Sequence, residues 1–349
     1  MMTTNNTHFP TLLAALAVLL LMPLTLMAQQ RNIVMPRFLK PGDRIAIVSP
    51  CSQPEEKTVL EGCNILRQWG YEPVVAPHAL SYYHGFAGTT DERVSDLLWA
   101  LRDTTIQAIM CSRGGDGAVH LLPHIPAADY RRHPKWLIGF SDVTALHSAS
   151  VSAGVMSIHG SMCHAIAAQQ GTDSVSVTLR RLLQGELPSY QLPPHELNQM
   201  GTAEGILVGG NLSVLCGLAA SPYDCLSMHR NDLILFIEDA NEEMTKIDRL
   251  LHQLMVRGVL QRLKGIIVGH FTKYKHPEND FDDMNAMLHE YLQHLSIPVC
   301  YGFPVGHQRP NLPLIEGCRV RFSVTEHGTT LVFLKDTSTI TDAGRAAGR

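Results

Sequence analysis

Three side chains are able to serve as nucleophile, acid and base: Ser141 and Glu238 where apolar runs end, and His307 in a constrained loop. Ser141 follows Trp136, Leu137 and Ile138, with Gly139 before it and an apolar stretch from Val143 to Leu146 after it. This strand-turn-helix pattern puts a hydroxyl on a sharp corner, as nucleophile elbows do, although G-F-S-D-V lacks the second glycine of G-x-S-x-G. An N-cap serine before a helix is the plainer alternative. Glu238 closes the apolar run ILFIED, where a carboxylate either enters a cleft or sits solvated at a strand end. His307 lies in YGFPVGHQRPNLPL, a loop constrained by glycine and proline. An imidazole of ordinary pKa near neutrality is the usual proton acceptor for a serine.

Two glycine-rich segments accompany them. SRGGDG (112–117) follows an apolar run and could aim backbone N–H groups into a crevice as an oxyanion hole. A phosphate cradle is the rival, but the lysine of GxxxxGK[ST] is absent, and an ordinary glycine turn is the simplest reading. GILVGGNLSVLCGL (205–218) runs from strand to helix, and its glycines suit close packing.

The elements that must position these groups follow from periodicity. Between Gly42 and Gly160 short apolar runs alternate with amphipathic stretches, which predicts βα units around a parallel sheet. Strands are expected at Arg44–Ser49, Pro73–Ala76, Ala108–Cys111 and Trp136–Phe140; Val59, Leu60, Cys63 and Leu66, and then Val94, Leu97, Leu98 and Leu101, mark helix faces. After a polar, irregular stretch the pattern changes to strands at Gly205–Val208, Leu233–Ile237, Gly265–Val268, Val320–Val324 and Thr330–Leu334, with a helix over Thr245–Met255. The expected organisation is a leader at 1–28, a doubly wound α/β domain at 35–165 carrying Ser141, a linker at 166–200, a smaller strand-rich α+β domain at 201–335 carrying Glu238 and His307, and a flexible tail at 336–349.

Composition sets the outer bounds. The 349 residues are 45% hydrophobic with a net charge of −4, enough for a large core and without the basic surface that nucleic acid demands. Pro10 to Met27 is nearly all apolar and ends in Leu26-Met27-Ala28-Gln29, which suits an export signal cleaved after Ala28, with an uncleaved membrane anchor as the alternative. A periplasmic location is expected. Eight cysteines lie scattered in apolar segments without metal-ligand spacing, so buried thiols are expected, although export would permit a disulfide or two. His270 stands alone, and the acidic loop Glu278–Asp283 lacks calcium-loop spacing, so neither metal nor cofactor is expected.

Seven motifs, GDRIAIVSP, SRGGDG, IGFSD, HG at 159–160, GGNLS, LFIED and GHQRPNLPL, occur in that order from about Pro41 to Leu334. Together they resemble the LD-carboxypeptidases of serine peptidase family S66, which include muramoyl-tetrapeptide carboxypeptidases and the microcin C immunity peptidases. The resemblance implies a flavodoxin-like or glutamine-amidotransferase-like first domain and a Ser-Glu-His triad at Ser141, Glu238 and His307. It implies an oxyanion hole at the N–H groups of Gly115 and Asp142, a murein tetrapeptide substrate that loses its terminal D-alanine, and a homodimer. A cation for the substrate's terminal carboxylate is expected at Arg113 or Arg309 from their positions beside these motifs.

Two other functions compete. A microcin C immunity-like peptidase acting on peptidyl or aminoacyl nucleotide conjugates would want aromatic side chains to stack on a base, and the three tryptophans all lie in core-like segments. A non-catalytic periplasmic binding protein would suit two α/β domains behind an export signal but needs no serine, acid and histidine at cleft positions. Cys111 as an alternative nucleophile precedes its turn and reads as a core residue.

Overall fold

The computed structural model describes residues 32–228, 230–275 and 281–335. The leader, the tail and part of the acidic loop lie outside these residues. From Ile33 onward the described chain belongs to one compact unit built on two sheets.

The first sheet grows from the apolar runs of the first half: β1 (Arg44–Val48), β2 (Glu72–Val75), β3 (Ile106–Cys111), β4 (Trp136–Gly139) and β5 (Ser157–His159). They are parallel in the order β2-β1-β3-β4-β5, the flavodoxin-like doubly wound order. Both faces are covered by helices, which is why the strands read as near-continuous apolar stretches rather than alternating ones. The helix Glu56–Gln68 buries Val59, Cys63 and Leu66, one stripe at helical spacing. Its Gly62 lets the helix Cys163–Ala168 approach, since a Cβ there would lie 2.8 Å from that of Cys163. The helix Thr90–Arg102 is fixed at its start by a reciprocal capping box between Thr89 and Glu92.

The stretch expected to be irregular linker is structured. It holds the helix Ser174–Leu183, capped by the Asp173 carboxylate, and an edge strand β6 (Ser189–Leu192). Val175, Leu179, Leu182 and Leu183 form a buried stripe on that helix, masked in the sequence by Ser174, Thr178 and the arginines of its outer face.

The second sheet contains β6, β7 (Gly201–Asn211), β8 (Leu233–Ala240), β9 (Leu263–Thr272), β10 (Val299–Cys300), β12 (Arg319–Thr325) and β13 (Gly328–Phe333), in the order β10-β9-β8-β7-β12-β13-β6. β7 to β10 are parallel; β12, β13 and β6 extend the sheet antiparallel. The helix Met244–Val256 covers this sheet with Ile247, Leu251 and Leu254 inward, close to the expected bounds. β11 (Leu314–Glu316) is the exception to the division by sequence, since it pairs antiparallel with β5 at the edge of the first sheet. The loop 301–313 therefore leaves one sheet and ends on the other, and it carries His307 between them.

All eight cysteines are buried. Burial pushes the thiols of Cys51, Cys63, Cys111, Cys163, Cys216, Cys225 and Cys300 above their ordinary pKa. Cys111 is thus a neutral core residue with no thiolate to offer. Among the described residues no helix is long and apolar enough to cross a membrane.

One core position is chemically unusual. Glu316 on β11 directly faces Ser157 on β5; both are fully buried, and the serine hydroxyl makes no hydrogen bond among the described residues. Burial raises the Glu316 carboxyl well above its ordinary pKa, opposed only in part by the N–H of Gly209. The folded chain keeps the proton on this group to higher pH than the unfolded chain, which ionises it near its ordinary value of 4.5. Its contribution is complete below that pH and is lost as pH rises towards the folded value, at up to about 1.4 kcal/mol per pH unit. Glu316→Gln should therefore gain stability over the wild type between pH 5 and 8. Melting curves across that range test this, and parallel Tm profiles for the two proteins would refute it.

Candidate active site

The carboxyl ends of the parallel strands of both sheets, where α/β folds place ligands, converge on Ser141. β4 ends at Gly139, Phe140 is fully extended, and Ser141 turns sharply with φ +66 before a short 3-10 turn leads into the helix Thr144–Ala153. A non-glycine residue held in the left-handed region stores about 1–3 kcal/mol of strain, and such residues gather at functional sites. Gly139 is required, because a Cβ there would press to 2.7 Å from Val143. This is an elbow and not a helix cap: among the described residues the Ser141 hydroxyl bonds to His307 and to no helix N–H.

Glu238 lies near the end of β8 and is fully buried, which excludes the solvated strand end. Its Oε2 accepts from His307 Nδ1 at 2.6 Å, and His307 Nε2 lies 2.9 Å from Ser141 Oγ. With the carboxylate accepting the Nδ1 proton, Nε2 is left bare to accept from the serine hydroxyl. Gly306 allows the contact, since a Cβ there would meet the Glu238 carboxylate at 2.8 Å. Burial raises the Glu238 carboxyl above its ordinary value, and its bond to His307 opposes this. Burial alone would lower His307, but the hydrogen bond and charge of Glu238, aided by Asp239, outweigh it and leave the imidazole more basic than usual.

The glycine loop after β3 closes over the elbow. Gly114 packs on Ser141, a Cβ there falling 3.0 Å from the serine Cβ. Gly115 follows with φ +121, and its N–H bonds to no group among the described residues. Ser52 Oγ accepts from the N–H of Asp116, and the Asp142 carboxylate accepts from the N–H of Ala118 at 2.8 Å, so the loop is tied to the residue after the serine. The two expected arginines differ. Arg113 donates to the carbonyl oxygens of Gly114 and Gln53 and so braces the loop, whereas Arg309 lines a cavity next to His307.

Two supports were not assigned from the sequence, although both lie in its motifs. The first is Asn211 of GGNLS: its N–H donates to Thr144 Oγ1 at 3.0 Å, its Nδ2 to Asp239 Oδ1 at 2.9 Å, and its Oδ1 caps the helix Leu212–Gly217. Asn211 thereby ties the helix behind Ser141 to the strand carrying Glu238. Gly210, with φ +124, is the packing glycine anticipated here, because a Cβ would lie 2.5 Å from Thr144 Oγ1.

The second is His159 of the HG pair, on β5. Asn311 Oδ1 accepts from the N–H of Gly306 at 2.9 Å and lies 3.1 Å from His159 Nε2, so the histidine must donate. Burial drives its pKa down to about 3, which keeps it neutral. His159 thus holds Asn311, and Asn311 holds the residue before His307. Asn311→Ala should lower kcat about tenfold by loosening that loop; steady-state kinetics test it, and wild-type kcat would show that the loop holds itself. Among the described residues, no cluster of three or more His, Cys, Asp or Glu side chains is arranged to hold a metal ion.

Comparison with known proteins agrees with this architecture. Residues 45–160 match the LD-carboxypeptidase N-terminal domain, and residues 204–322 match the LD-carboxypeptidase C-terminal domain. A Bacillus subtilis protein named "probable murein peptide carboxypeptidase" is 31% identical over 300 residues, covering 83% of this chain and 92% of its own. The crystal structure of muramoyltetrapeptide carboxypeptidase from Oxalobacter formigenes superposes with a TM-score of 0.76 at 26% identity, covering 84% of this chain and 99% of that one. The microcin C7 self-immunity protein MccF shares the fold, with a TM-score of 0.77 at 22% identity over 87% of this chain and 99% of its own. Matched in both halves, the chain belongs to the LD-carboxypeptidase family, peptidase family S66, and is a serine-type carboxypeptidase.

Proposed function

We propose that this carboxypeptidase hydrolyses the L,D-amide bond of murein tetrapeptides and releases the terminal D-alanine, with Ser141 as nucleophile, His307 as general base and acid, and Glu238 as the group that orients and charges the imidazole. The observation that carries the mechanism is the unbroken chain from Ser141 Oγ through His307 to the buried Glu238, at 2.9 and 2.6 Å, mounted on a strained elbow. The names of the Bacillus subtilis and Oxalobacter formigenes relatives support the substrate.

In this mechanism Ser141 Oγ bonds to the amide carbonyl carbon while its proton passes to His307 Nε2. The imidazolium is stabilised by Glu238, and the carbonyl oxygen takes up negative charge that the N–H groups of Gly115 and Asp142 stabilise. Collapse breaks the C–N bond as His307 returns the proton to the departing amine. Water then attacks the acyl-serine with His307 again as base, and tripeptide leaves. The apolar segment Pro10–Met27 supports action outside the cytoplasmic membrane, where the mature chain would begin at Gln29.

Mass spectrometry of a disaccharide tetrapeptide incubated with residues 29–349 tests the proposal. Loss of one alanine with the wild type and none with Ser141→Ala, with or without a chelator, is the expected result. Alanine loss that survives Ser141→Ala would remove the triad, and an intact tetrapeptide would remove the substrate.

A further inference from the structure

A leaving amine that takes its proton from His307 Nε2 must depart beside that ring. A cavity of about 420 Å³ opens there, lined by Gly306 to Asn311 on one side, by residues between Ser161 and Val175 on the other, and by Phe140. Its charges do not balance. Asp173 is in the lining, but its Oδ1 accepts from the N–H groups of Val175 and Ser176 and its Oδ2 from the Ser176 hydroxyl, so it is spent on the helix it caps. Arg309 forms no ion pair or hydrogen bond among the described residues, and the positive end of the helix Ser174–Leu183 faces the same space. A cavity with one unneutralised guanidinium at its wall, next to the group that protonates the leaving amine, suits a small residue bearing a carboxylate. Phe140, Ala165 and Val175 supply apolar surface for a methyl side chain.

We propose that this cavity receives the departing C-terminal residue and that Arg309 is the specificity-determining contact to its free α-carboxylate, while Arg113 of the glycine loop takes no part in carboxylate recognition. The assignment rests on the carboxypeptidase reading of Ser141 and His307, and it makes release of a terminal residue, rather than internal cleavage, a property of one side chain. Arg113 is committed elsewhere, since its guanidinium already serves two backbone carbonyls of the glycine loop.

Binding to the inactive Ser141→Ala chain separates the assignment from catalysis. Calorimetry with murein tetrapeptide and with its C-terminal amide should show the acid bound about 30-fold more tightly, the scale of a charge-assisted pair. Adding Arg309→Gln should bring acid and amide within about threefold, Arg309→Lys should keep part of the preference, and Arg113→Gln should keep all of it. N-acetyl-D-alanine and its amide, followed by ligand-observed NMR, give a second pair that does not depend on the tetrapeptide. A preference for N-acetyl-D-alanine that needs Arg309, with no tetrapeptide binding, would overturn the murein reading and leave the cavity assignment standing. Absence of an Arg309-dependent preference for the acid in both pairs, or its loss on Arg113→Gln alone, would overturn the assignment.

Discussion

Ser141→Ala is expected to lower kcat by about 10⁴- to 10⁶-fold while the chain stays folded, because in the proposed mechanism one oxygen carries the covalent step and nothing nearby replaces it. The buried alternative, Cys111, has its pKa driven up by burial and is no substitute. The elbow geometry adds a second expectation. Alanine at φ +66 suffers the same backbone strain as serine, so Ser141→Ala should leave Tm close to the wild type, whereas Ser141→Gly relieves the strain and should raise it. Single-turnover kinetics beside thermal melts check both, and an Ala variant that kept more than a hundredth of wild-type kcat would remove Ser141 from the nucleophile position.

Glu238→Gln should cost about 10³- to 10⁴-fold in kcat for a different reason. The amide preserves the shape of the carboxylate but removes the charge that stabilises the imidazolium, and it can turn an N–H₂ towards His307 Nδ1, which favours the tautomer that cannot accept from serine. The pH profile distinguishes this from a packing defect. His307 must be neutral to act as base, so activity rises as pH passes its pKa. Because Glu238 holds that pKa above its ordinary value, the acidic limb of kcat/KM in the wild type should lie above about pH 6.5. Without the charge, burial governs the imidazole and pulls its pKa down, so the limb should move to lower pH while the plateau falls. A depressed plateau with an unmoved limb would mean that Glu238 does not act through His307.

Ser141 and Glu238 were legible in the sequence because each sits where an apolar run stops, and a parallel sheet gathers such ends on one edge; His307 was legible from a loop constrained by glycine and proline. Four strands of the doubly wound half were legible because they are long enough and apolar enough to read singly, whereas the three-residue β5 was not. β11 was not: three residues carry no period, and its partner β5 lies far away in sequence. His159 and Asn311 were equally hidden in role, since they meet across 152 positions and their types alone say nothing of which loop they hold. Asn211 sat in a motif whose glycines drew attention to packing, while its side chain binds Asp239 and its backbone N–H binds Thr144 of the serine helix. The order within 166–200 escaped because the helix there turns its charged and hydroxyl face outward.

The buried cysteines turn opening of this fold into a chemical signal. In the folded protein their sulfurs are shielded, so an alkylating reagent reacts only with molecules that have opened. Cys51, Cys63, Cys111 and Cys163 report on the first sheet and its helices, while Cys216, Cys225 and Cys300 lie in the half built on the second. Counting labels per molecule after a short pulse therefore distinguishes one cooperative unfolding event from separate loosening of either half. Under the proposed export to an oxidising compartment, the same arrangement sets a deadline: the thiols escape mispairing only once both sheets have closed over them.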